Sequence, residues 1–337
     1  MKKFKMGLSA LALIGASLVS TGCGKAKKVT IYTSTEDYNV EFLQKSLEEK
    51  FPDYEIVIEN SMSTSQIAAK VIEEGEQSDC DIVYAEEYGY LEKMIAEGVL
   101  ESIEGDYDLT RYTDDTVTDR TNKYVVPAIR SGGGVVVNTK VLADRGIPEP
   151  TSYADLLNPV YDNGEESGLI SMASPKSSGT GYMFLYSLVK AWGETEALSY
   201  FDSLTPNVLS YTKSGSGPVN ALVQEEVAVG FGMISQAVNK INEGNKDLKI
   251  LFFEEGAPCN LYGTSLVKGH KANKAAKEVL DYIDSTFNDA TCAKYYPEVI
   301  LKGAQYNVEN FPENIQYSNM EGNNLEAKEA LLAKWTH

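Results

Sequence analysis

The sequence is poor in the side chains that catalysis and transition-metal binding use most often. Its 337 residues include two histidines, His270 and His337, and four cysteines, none of them spaced as C-x-x-C. Structural zinc sites draw on several cysteines and histidines at short spacing, so we expect no site of this type. His270 lies in a charged turn where we expect it to be exposed, which leaves a nucleophile without an obvious base. We therefore expect no metal, no cofactor and no enzymatic activity, although spacing alone leaves a Ser–Lys pair open.

Positive charge is also scarce. The chain carries 30 lysines and arginines against 49 aspartates and glutamates, a formal net charge of -19. A surface this acidic repels nucleic acid and anionic lipid headgroups, so neither is an expected partner. The charge says little about a ligand, since a pocket can carry a local field of the opposite sign. We expect a monomer that binds no nucleic acid.

Long apolar runs are missing outside the N-terminal segment. Three lysines within the first five residues precede an uncharged stretch from residue 6 to residue 19, which is too short to span a bilayer but suits a secretion signal. Ser20-Thr21-Gly22 then leads into Cys23, which resembles the lipobox of bacterial lipoproteins although leucine is commonest where Ser20 stands. We predict a signal peptide over 1–22, a tether over 23–28 and a lipid on Cys23 that anchors the extracytoplasmic protein to the cell membrane. The alternative is an ordinary signal peptide with an incidental cysteine.

Three further cysteines, Cys80, Cys259 and Cys292, remain. They cannot all pair, so one disulfide with a free thiol, or three thiols, are both open. The sequence does not choose between these alternatives.

Strand-like and helix-like patterns alternate along the rest of the chain. Val29–Tyr32 and 55–58 predict strands, and apolar residues between 40 and 51 recur about once per helical turn. Ser63 and Gln66 have the spacing of a capping box at the start of a further helix. The alternation resumes in an unrelated sequence after residue 135. We predict an α/β fold of βαβ units with a mostly parallel sheet, divided between two lobes.

Four loops rich in serine, threonine and glycine stand between a predicted strand and a predicted helix. A helix start presents unpaired backbone N–H groups and the positive end of its dipole, and hydroxyl groups add neutral donors. Glycine lets the backbone approach a ligand closely. Together these groups can hold a phosphate, a phosphonate or a carboxylate without an arginine. The candidate ligand-binding residues of the loops are Ser34, Thr35, Ser63, Thr64, Ser177, Ser178, Gly179, Thr180, Gly181 and Ser214.

The alternative is that these loops are only helix caps and turns, since serine, threonine and glycine are common before helices. The run from Ser177 to Gly181 has more hydroxyls and glycines than one cap requires, which makes it the strongest of the four. It lacks the G-x-x-x-x-G-K-[ST] spacing of a nucleotide-binding P-loop.

Acidic pairs follow three of the predicted strands: Glu36-Asp37, Glu86-Glu87 and Glu254-Glu255. Ligands of open α/β sheets bind beyond the carboxyl ends of strands, so Glu36, Glu86 and Glu254 are candidates for receiving an ammonium or hydroxyl group of a ligand. The alternative is that such pairs are solvated surface in an acidic chain.

The order of several segments resembles a known family. From the N-terminus, they are IYTSTED, DIVYAEE, SGGGVVVNT, ASPKSSGTGY, KSGSGPVNAL, VAVGFGM and YGTSLVKG. They are similar to the family 1 extracellular solute-binding proteins of ABC importers, in the branch that binds ferric iron, 2-aminoethylphosphonate and sugar phosphates. The resemblance implies a two-lobed periplasmic-binding-protein fold of class II that closes by a hinge on a small anionic ligand in the interlobe cleft, with an ABC permease and ATPase as partners. It places lobe 1 at 29–125 and 246–285 and lobe 2 at 126–245, with the C-terminal helices of 286–337 packed on lobe 2.

One departure from this family bears on the ligand class. Its iron-binding members carry adjacent tyrosines after the strand that here spans Val227 to Phe231, where this sequence has Gly232-Met233-Ile234-Ser235. A ferric ion needs anionic oxygen ligands, which methionine and isoleucine cannot supply. We therefore expect a small organophosphorus anion, either a phosphonate such as 2-aminoethylphosphonate or a sugar phosphate. The alternatives are a ferric-iron receptor that uses others of the 21 tyrosines, and a surface adhesin or sensor on the same fold.

Overall fold

The structure is a computed structural model that describes residues 27–162 and 168–337. Its strands are β1 (Lys27–Tyr32), β2 (Tyr54–Glu59), β3 (Ile82–Glu87), β4 (Val126–Asn138), β5 (Ile170–Ala173), β6 (Val208–Thr212), β7 (Val229–Met233), β8 (Leu248–Leu251) and β9 (Cys259–Leu266). Its helices are α1 (Asp37–Lys50), α2 (Thr64–Glu74), α3 (Tyr88–Ala96), α4 (Thr139–Arg145), α5 (Gly179–Trp192), α6 (Glu194–Leu204), α7 (Gly217–Val223), α8 (Ile234–Asn242), α9 (Lys274–Tyr282), α10 (Asn288–Lys294) and α11 (Leu325–Leu332). The predicted signal peptide, Cys23 and the tether up to residue 26 lie outside the described residues. Within the described ranges, no helix has the length and apolar character needed to cross a membrane.

Local sequence fixes the helix starts that bear on function. The predicted capping box at α2 is confirmed, because the Gln66 N–H donates to Ser63 Oγ at 3.4 Å and the Ser63 N–H donates to Gln66 Oε1 at 3.0 Å. Helix α1 ends at Lys50, two residues before Pro52, and buries Leu43 and Leu47 as its apolar pattern requires.

The strands run in the order β2-β1-β3-β9-β4-β7-β5-β6, with β8 paired to β4. Strand β1 is parallel to β2 and β3, and β5 is parallel to β6 and β7. The strands between these two groups are antiparallel: β9 pairs with both β3 and β4, and β4 pairs with β7 and β8. The α/β fold with two lobes is therefore confirmed, and the sheet is more mixed than the predicted, mostly parallel one.

Strand β4 connects the two lobes. Its residues 126–132 pair with β9, and its residues 133–138 pair with β7 and β8. The glycine run of β4 lies at the change of partner. A Cβ on Gly133 would lie 2.6 Å from Met183 Cε and 2.8 Å from Phe184 Cζ, so only a glycine lets β4 pass this close to α5.

Each lobe has its own apolar core. In the first lobe, Ile31, Leu43, Ile82 and Val126 pack with α9 and with the segment 283–301. In the second lobe, β5 and β7 pack with α5 and α6, together with Leu331 and Trp335 of the C-terminal segment.

This packing differs from the expected lobe boundaries at two places. The expectation put all of 286–337 on the second lobe, whereas Phe287, Cys292 and Tyr296 lie in the first-lobe core because their apolar side chains cover the sheet beside Ile82. The expectation also returned the chain to the first lobe at residue 246. Strand β8 still pairs with the second-lobe half of β4, so the chain returns only after Leu251.

The structure shows the state of three cysteines and the surroundings of His270. Cys80, Cys259 and Cys292 are free thiols, which decides between the two alternatives that the sequence left open. His270, expected to be exposed, is only partly accessible, because its Nδ1 lies 2.7 Å from Oδ1 of the buried Asp81.

Candidate functional site

A cavity lies between the two lobes. All four serine- and threonine-rich loops contribute to its wall. The lining residues are Ser34, Thr35, Glu36, Ser63, Thr64, Ala85, Ile129, Ser131, Ser177, Ser178, Gly179, Thr180, Lys213, Ser214, Gly215, Met233, Tyr262 and Tyr296. Of the thirteen residues that the sequence singles out for ligand binding, the structure brings ten together in this one wall.

Two helix N-termini, one from each lobe, reach the cavity. Helix α2 of the first lobe starts after its N-cap Ser63, and helix α5 of the second lobe starts after its N-cap Ser178. Ser178 Oγ accepts the Thr180 N–H at 3.2 Å, so this serine is both a cap and part of the cavity wall. Each helix start adds free N–H groups and the positive end of a dipole. The two ends together favour a negatively charged ligand.

Hydrogen bonds close the lobes on the loop that starts α5. The hydroxyl of Thr64 donates to the Ser177 carbonyl at 3.0 Å, and that of Tyr90 donates to the Lys176 carbonyl at 3.2 Å. The Asn260 amide donates to the Gly179 carbonyl at 2.9 Å. The donors come from the first lobe and from β9, and they occupy carbonyl groups of the loop. The enclosed cavity is therefore that of a closed, two-lobed state.

Glu36 is the one carboxylate among the described residues that line the cavity. It is 8% exposed, and burial raises the pKa of its carboxyl. The hydroxyls of Tyr296 and Thr35 donate to its Oε2 at 3.0 Å and 3.3 Å. Burial also raises the pKa of the Tyr296 and Tyr262 hydroxyls, which keeps both phenols as neutral donors. Lys213, which is exposed at the mouth, supplies the only cationic side chain among the lining residues.

Three predicted candidates lie outside the cavity wall. Glu86 is fully buried in β3, and its Oε1 accepts the N–H of Glu87 at 3.1 Å. Glu254 is exposed beyond β8. Gly181 lies in the first turn of α5 against β5, where an added Cβ would be 2.2 Å from the Ala173 carbonyl oxygen. Gly181 thus sets how closely the helix packs on the sheet.

A bulge in β3 accounts for the position of Glu86. The pairing of β3 with β9 shifts register between Val83 and Glu86, and Ala85 takes a left-handed backbone with φ of 49°. The bulge puts Ala85 in the cavity wall and turns Glu86 into the interior. In a regular strand, successive side chains alternate between the two faces of the sheet, and this rule cannot predict a change of face at a bulge.

Several lining residues were missed by sequence reasoning. Ile129, Ser131 and Tyr262 come from the two strands at the lobe crossing, and Met233 ends β7. Tyr296 belongs to the C-terminal segment, far along the chain from its partner Glu36. The run of glycines in β4 was a sequence signal for the place where the chain crosses between the lobes. No local sequence pattern identified Tyr296 as a lining residue.

The described parts of the chain hold no group of three or more histidine, cysteine, aspartate or glutamate side chains arranged to bind a metal ion. The oxygen ligands that the cavity could offer a hard metal are the Glu36 carboxylate and the phenols of Tyr262 and Tyr296.

Comparison with known proteins gives consistent matches. The family model described as bacterial extracellular solute-binding protein matches residues 80–322. An uncharacterised protein of Haemophilus influenzae is 30% identical over 296 residues, which are 84% of this chain and 80% of that protein.

Two solved structures share the fold. The periplasmic binding protein AfuA of Actinobacillus pleuropneumoniae, solved with fructose-6-phosphate bound, matches with a TM-score of 0.76 and 24% identity over 91% of this chain and 97% of that one. Iron-bound HitA of Pseudomonas aeruginosa matches with a TM-score of 0.73 and 18% identity over 91% of this chain and 97% of that one.

Proposed function

The chain belongs to the bacterial extracellular solute-binding proteins of ABC importers, and from that premise we propose that its solute is a small organophosphorus anion. The candidates are a phosphonate such as 2-aminoethylphosphonate and a sugar phosphate. The protein would close on the anion between its lobes and deliver it to a membrane permease driven by an ATPase. In this proposal, a lipid on Cys23 holds the receptor at the outer face of the membrane.

One observation carries the proposal: two capped helix starts from opposite lobes line a single cavity with hydroxyl groups. A tetrahedral phosphoryl group offers three oxygen acceptors, and backbone N–H groups, hydroxyls and one lysine are suitable donors for them. Because Lys213 is the one cation in this set of donors, an anion would be held mainly by hydrogen bonds. Each such bond is stronger in a site shielded from water than it is in solvent.

The contacts between the lobes favour a small solute over a polymer. The wall is enclosed by the cross-lobe hydrogen bonds at Ser177 and Lys176, so a polymer could not enter without opening the lobes. AfuA, of the same fold, was solved with a sugar phosphate bound.

A ferric-iron receptor is the second candidate, because Glu36, Tyr262 and Tyr296 all line the cavity. Carboxylate and phenolate oxygens are ligands that a hard ferric ion takes. However, the Tyr296 hydroxyl donates a hydrogen bond to Glu36, and burial raises the pKa of both phenols. Iron binding would therefore have to displace the protons of both phenols.

Thermal unfolding with a panel of solutes tests the proposal. The panel contains 2-aminoethylphosphonate, ethylphosphonate, glucose 6-phosphate, inorganic phosphate and ferric citrate. A true ligand at a hundred times its Kd stabilises the protein by about 2.7 kcal/mol. We expect stabilisation by at least one organophosphorus compound, with calorimetry giving one site per chain. Stabilisation by ferric citrate alone, with a visible tyrosinate-to-iron absorption band, would replace the proposal by the iron receptor.

A further inference from the structure

A buried ion pair lies directly behind the wall of the cavity. Lys328 of α11 pairs with Glu87 at the end of β3, and both side chains are 2% exposed. Glu87 also packs against Gly179, which is the first residue of α5 and lines the cavity. We propose that Lys328 acts on the anion site from outside the cavity wall: its charge neutralises Glu87, a carboxylate that would otherwise repel the solute. The inference rests on the proposed function, since it requires an anion at the start of α5.

Glu87 contacts the first turn of α5 on the side away from the cavity. A Cβ added to Gly179 would lie 3.0 Å from Glu87 Cγ and 3.2 Å from Glu87 Cβ, so the absence of a side chain lets the two residues pack this closely. The Asn260 amide donates to the Gly179 carbonyl at 2.9 Å and holds the turn in place. Gly179 therefore separates the side chain of Glu87 from the cavity.

An unpaired negative charge at this position would oppose the binding of an anion. The start of α5 favours an anion through its free N–H groups and the positive end of its dipole. A like charge nearby costs more in the interior than in water, because the effective dielectric constant is lower there. In the part of the chain that the structure describes, Lys328 is the one lysine or arginine that forms an ion pair with Glu87. The lysine therefore removes a repulsion that would work against the helix start.

The neighbouring Glu86 does not require a second cation. It is fully buried, and its Oε1 accepts the N–H of Glu87 at 3.1 Å. Burial raises the pKa of the Glu86 carboxyl well above its usual range, which favours the neutral acid. One lysine is therefore enough to neutralise the two adjacent acids at the end of β3.

The surroundings of Lys328 hold its ammonium group in place. The Nζ atom lies 3.9 Å from the ring centroid of Tyr90 and 4.6 Å from that of Tyr182, and both rings attract a cation. Gly89 leaves room for the lysine, because a Cβ there would lie 2.9 Å from Lys328 Cδ. Tyr90 belongs to the first lobe and Tyr182 to the second. The ion pair is therefore buried where the lobes meet, in the closed state that holds the solute.

Isothermal titration calorimetry with ethylphosphonate and glucose 6-phosphate tests the inference. We expect Lys328→Met to weaken the binding of both probes about tenfold, the size expected for one unpaired charge within about 10 Å in a protein interior. Glu87→Gln should bind the probes as tightly as the wild type or more tightly, because it removes the negative charge. Both variants leave one buried charge without a partner and lose stability, so a purely structural role predicts weaker binding in both.

The double variant Lys328→Met, Glu87→Gln decides the question even if a single variant does not fold. It removes both charges, so it should bind the probes as the wild type does. Lys93→Met is the matched control. Lys93 of α3 pairs with Glu329 of α11 at 3.2 Å, but both side chains are exposed, so the loss of this pair should leave the affinity unchanged.

The outcomes separate this inference from the function on which it rests. A loss of affinity of about tenfold in the double variant overturns the inference, because the variant carries neither charge. Weaker binding by Glu87→Gln, or wild-type affinity in a folded Lys328→Met, also overturns it. All three results leave the organophosphorus receptor standing. Failure of the wild type to bind either probe or 2-aminoethylphosphonate overturns the proposed function itself.

Discussion

Thr64 and Ser177 join the two lobes directly across the cavity. The Thr64 hydroxyl, at the start of α2, donates to the Ser177 carbonyl at 3.0 Å, and both residues line the cavity. The loops that we propose to contact the solute are therefore the same loops that hold the lobes together. In a protein that closes around its ligand, this arrangement couples binding to closure, because a ligand that favours the closed state also favours this hydrogen bond.

Replacing Thr64 with valine should weaken solute binding by about 1 kcal/mol, the contribution of one ordinary hydrogen bond. Valine keeps the shape of threonine and removes only the donor. Calorimetric titration with the best solute of the thermal screen measures the change. Thr139→Val is the matched control, because Thr139 makes the same type of bond to the Asp247 carbonyl at 3.0 Å, away from the cavity. Equal losses of affinity in both variants would contradict a role for the cross-lobe bond.

The hydroxyls at the start of α5 should matter more for the solute than for folding. We expect Thr180→Ala to weaken binding by about 1 to 3 kcal/mol. Ser178 needs a different substitution, because its Oγ caps the helix and alanine at an N-cap costs about 1 kcal/mol of stability. Glycine is nearly as good a cap, so Ser178→Gly separates the two roles.

Calorimetry and urea unfolding, taken together, test this pair. Both variants should bind less tightly, with the free energy of unfolding close to that of the wild type. Unchanged affinity in both would remove the start of α5 from the binding site.

Glu298 should make the stability of the protein depend on pH. It is 7% exposed, accepts the Gly132 N–H at 2.7 Å and the Tyr317 hydroxyl at 2.9 Å, and lies near Arg130. Burial raises its pKa from 4.5 to about 7, so the folded protein holds this proton more tightly than the unfolded chain. The stabilisation is therefore full below pH 4.5 and is lost as the pH rises through about 7.

Glu298→Gln tests this dependence, because glutamine keeps an acceptor for Gly132 and does not titrate. Between those two pH values, the wild type should lose on the order of 3 kcal/mol more stability than the variant. Buried Glu36 and Glu86 act in the same direction in both proteins, so their contribution cancels in the comparison. Parallel curves of urea-unfolding free energy against pH would show that Glu298 is not the source.

The C-terminal segment should stabilise the fold through one buried ion pair. Lys328 of α11 pairs with Glu87 of the first lobe, and both side chains are 2% exposed. The Lys328 ammonium also lies over the rings of Tyr90 and Tyr182, at 3.9 Å and 4.6 Å from their centroids. Lys328→Met leaves the Glu87 charge buried and unpaired, so we expect a loss of about 3 to 5 kcal/mol in the free energy of unfolding.

The double variant Lys328→Met, Glu87→Gln should recover part of that loss, since it removes both charges. Lys334→Met is the control: Lys334 pairs with Glu194 at 2.6 Å on the surface, and its removal should cost less than about 1 kcal/mol. Similar losses for Lys328→Met and Lys334→Met would contradict the importance of burial.

The candidate site was largely predictable where local rules apply. Ser63 and Ser178 lie at helix starts because serine caps a helix in a way that needs no tertiary contact, and the loops after β1 and β5 follow from the same alternation of strand and helix. Glu86 was misplaced because the bulge at Ala85 changes the face of the strand, and only the pairing with β9 produces that bulge.

By itself, the sequence determined the α/β class, the family resemblance and the four hydroxyl-rich loops, since composition, periodicity and capping depend on neighbours along the chain. Only the tertiary structure decided that Tyr296 meets Glu36, that the starts of α2 and α5 line one cavity, and that the C-terminal segment is shared between both lobes. These relationships join residues far apart in sequence. They are set by which apolar faces pack together and by where β4 changes partners, and neither is encoded in any short segment.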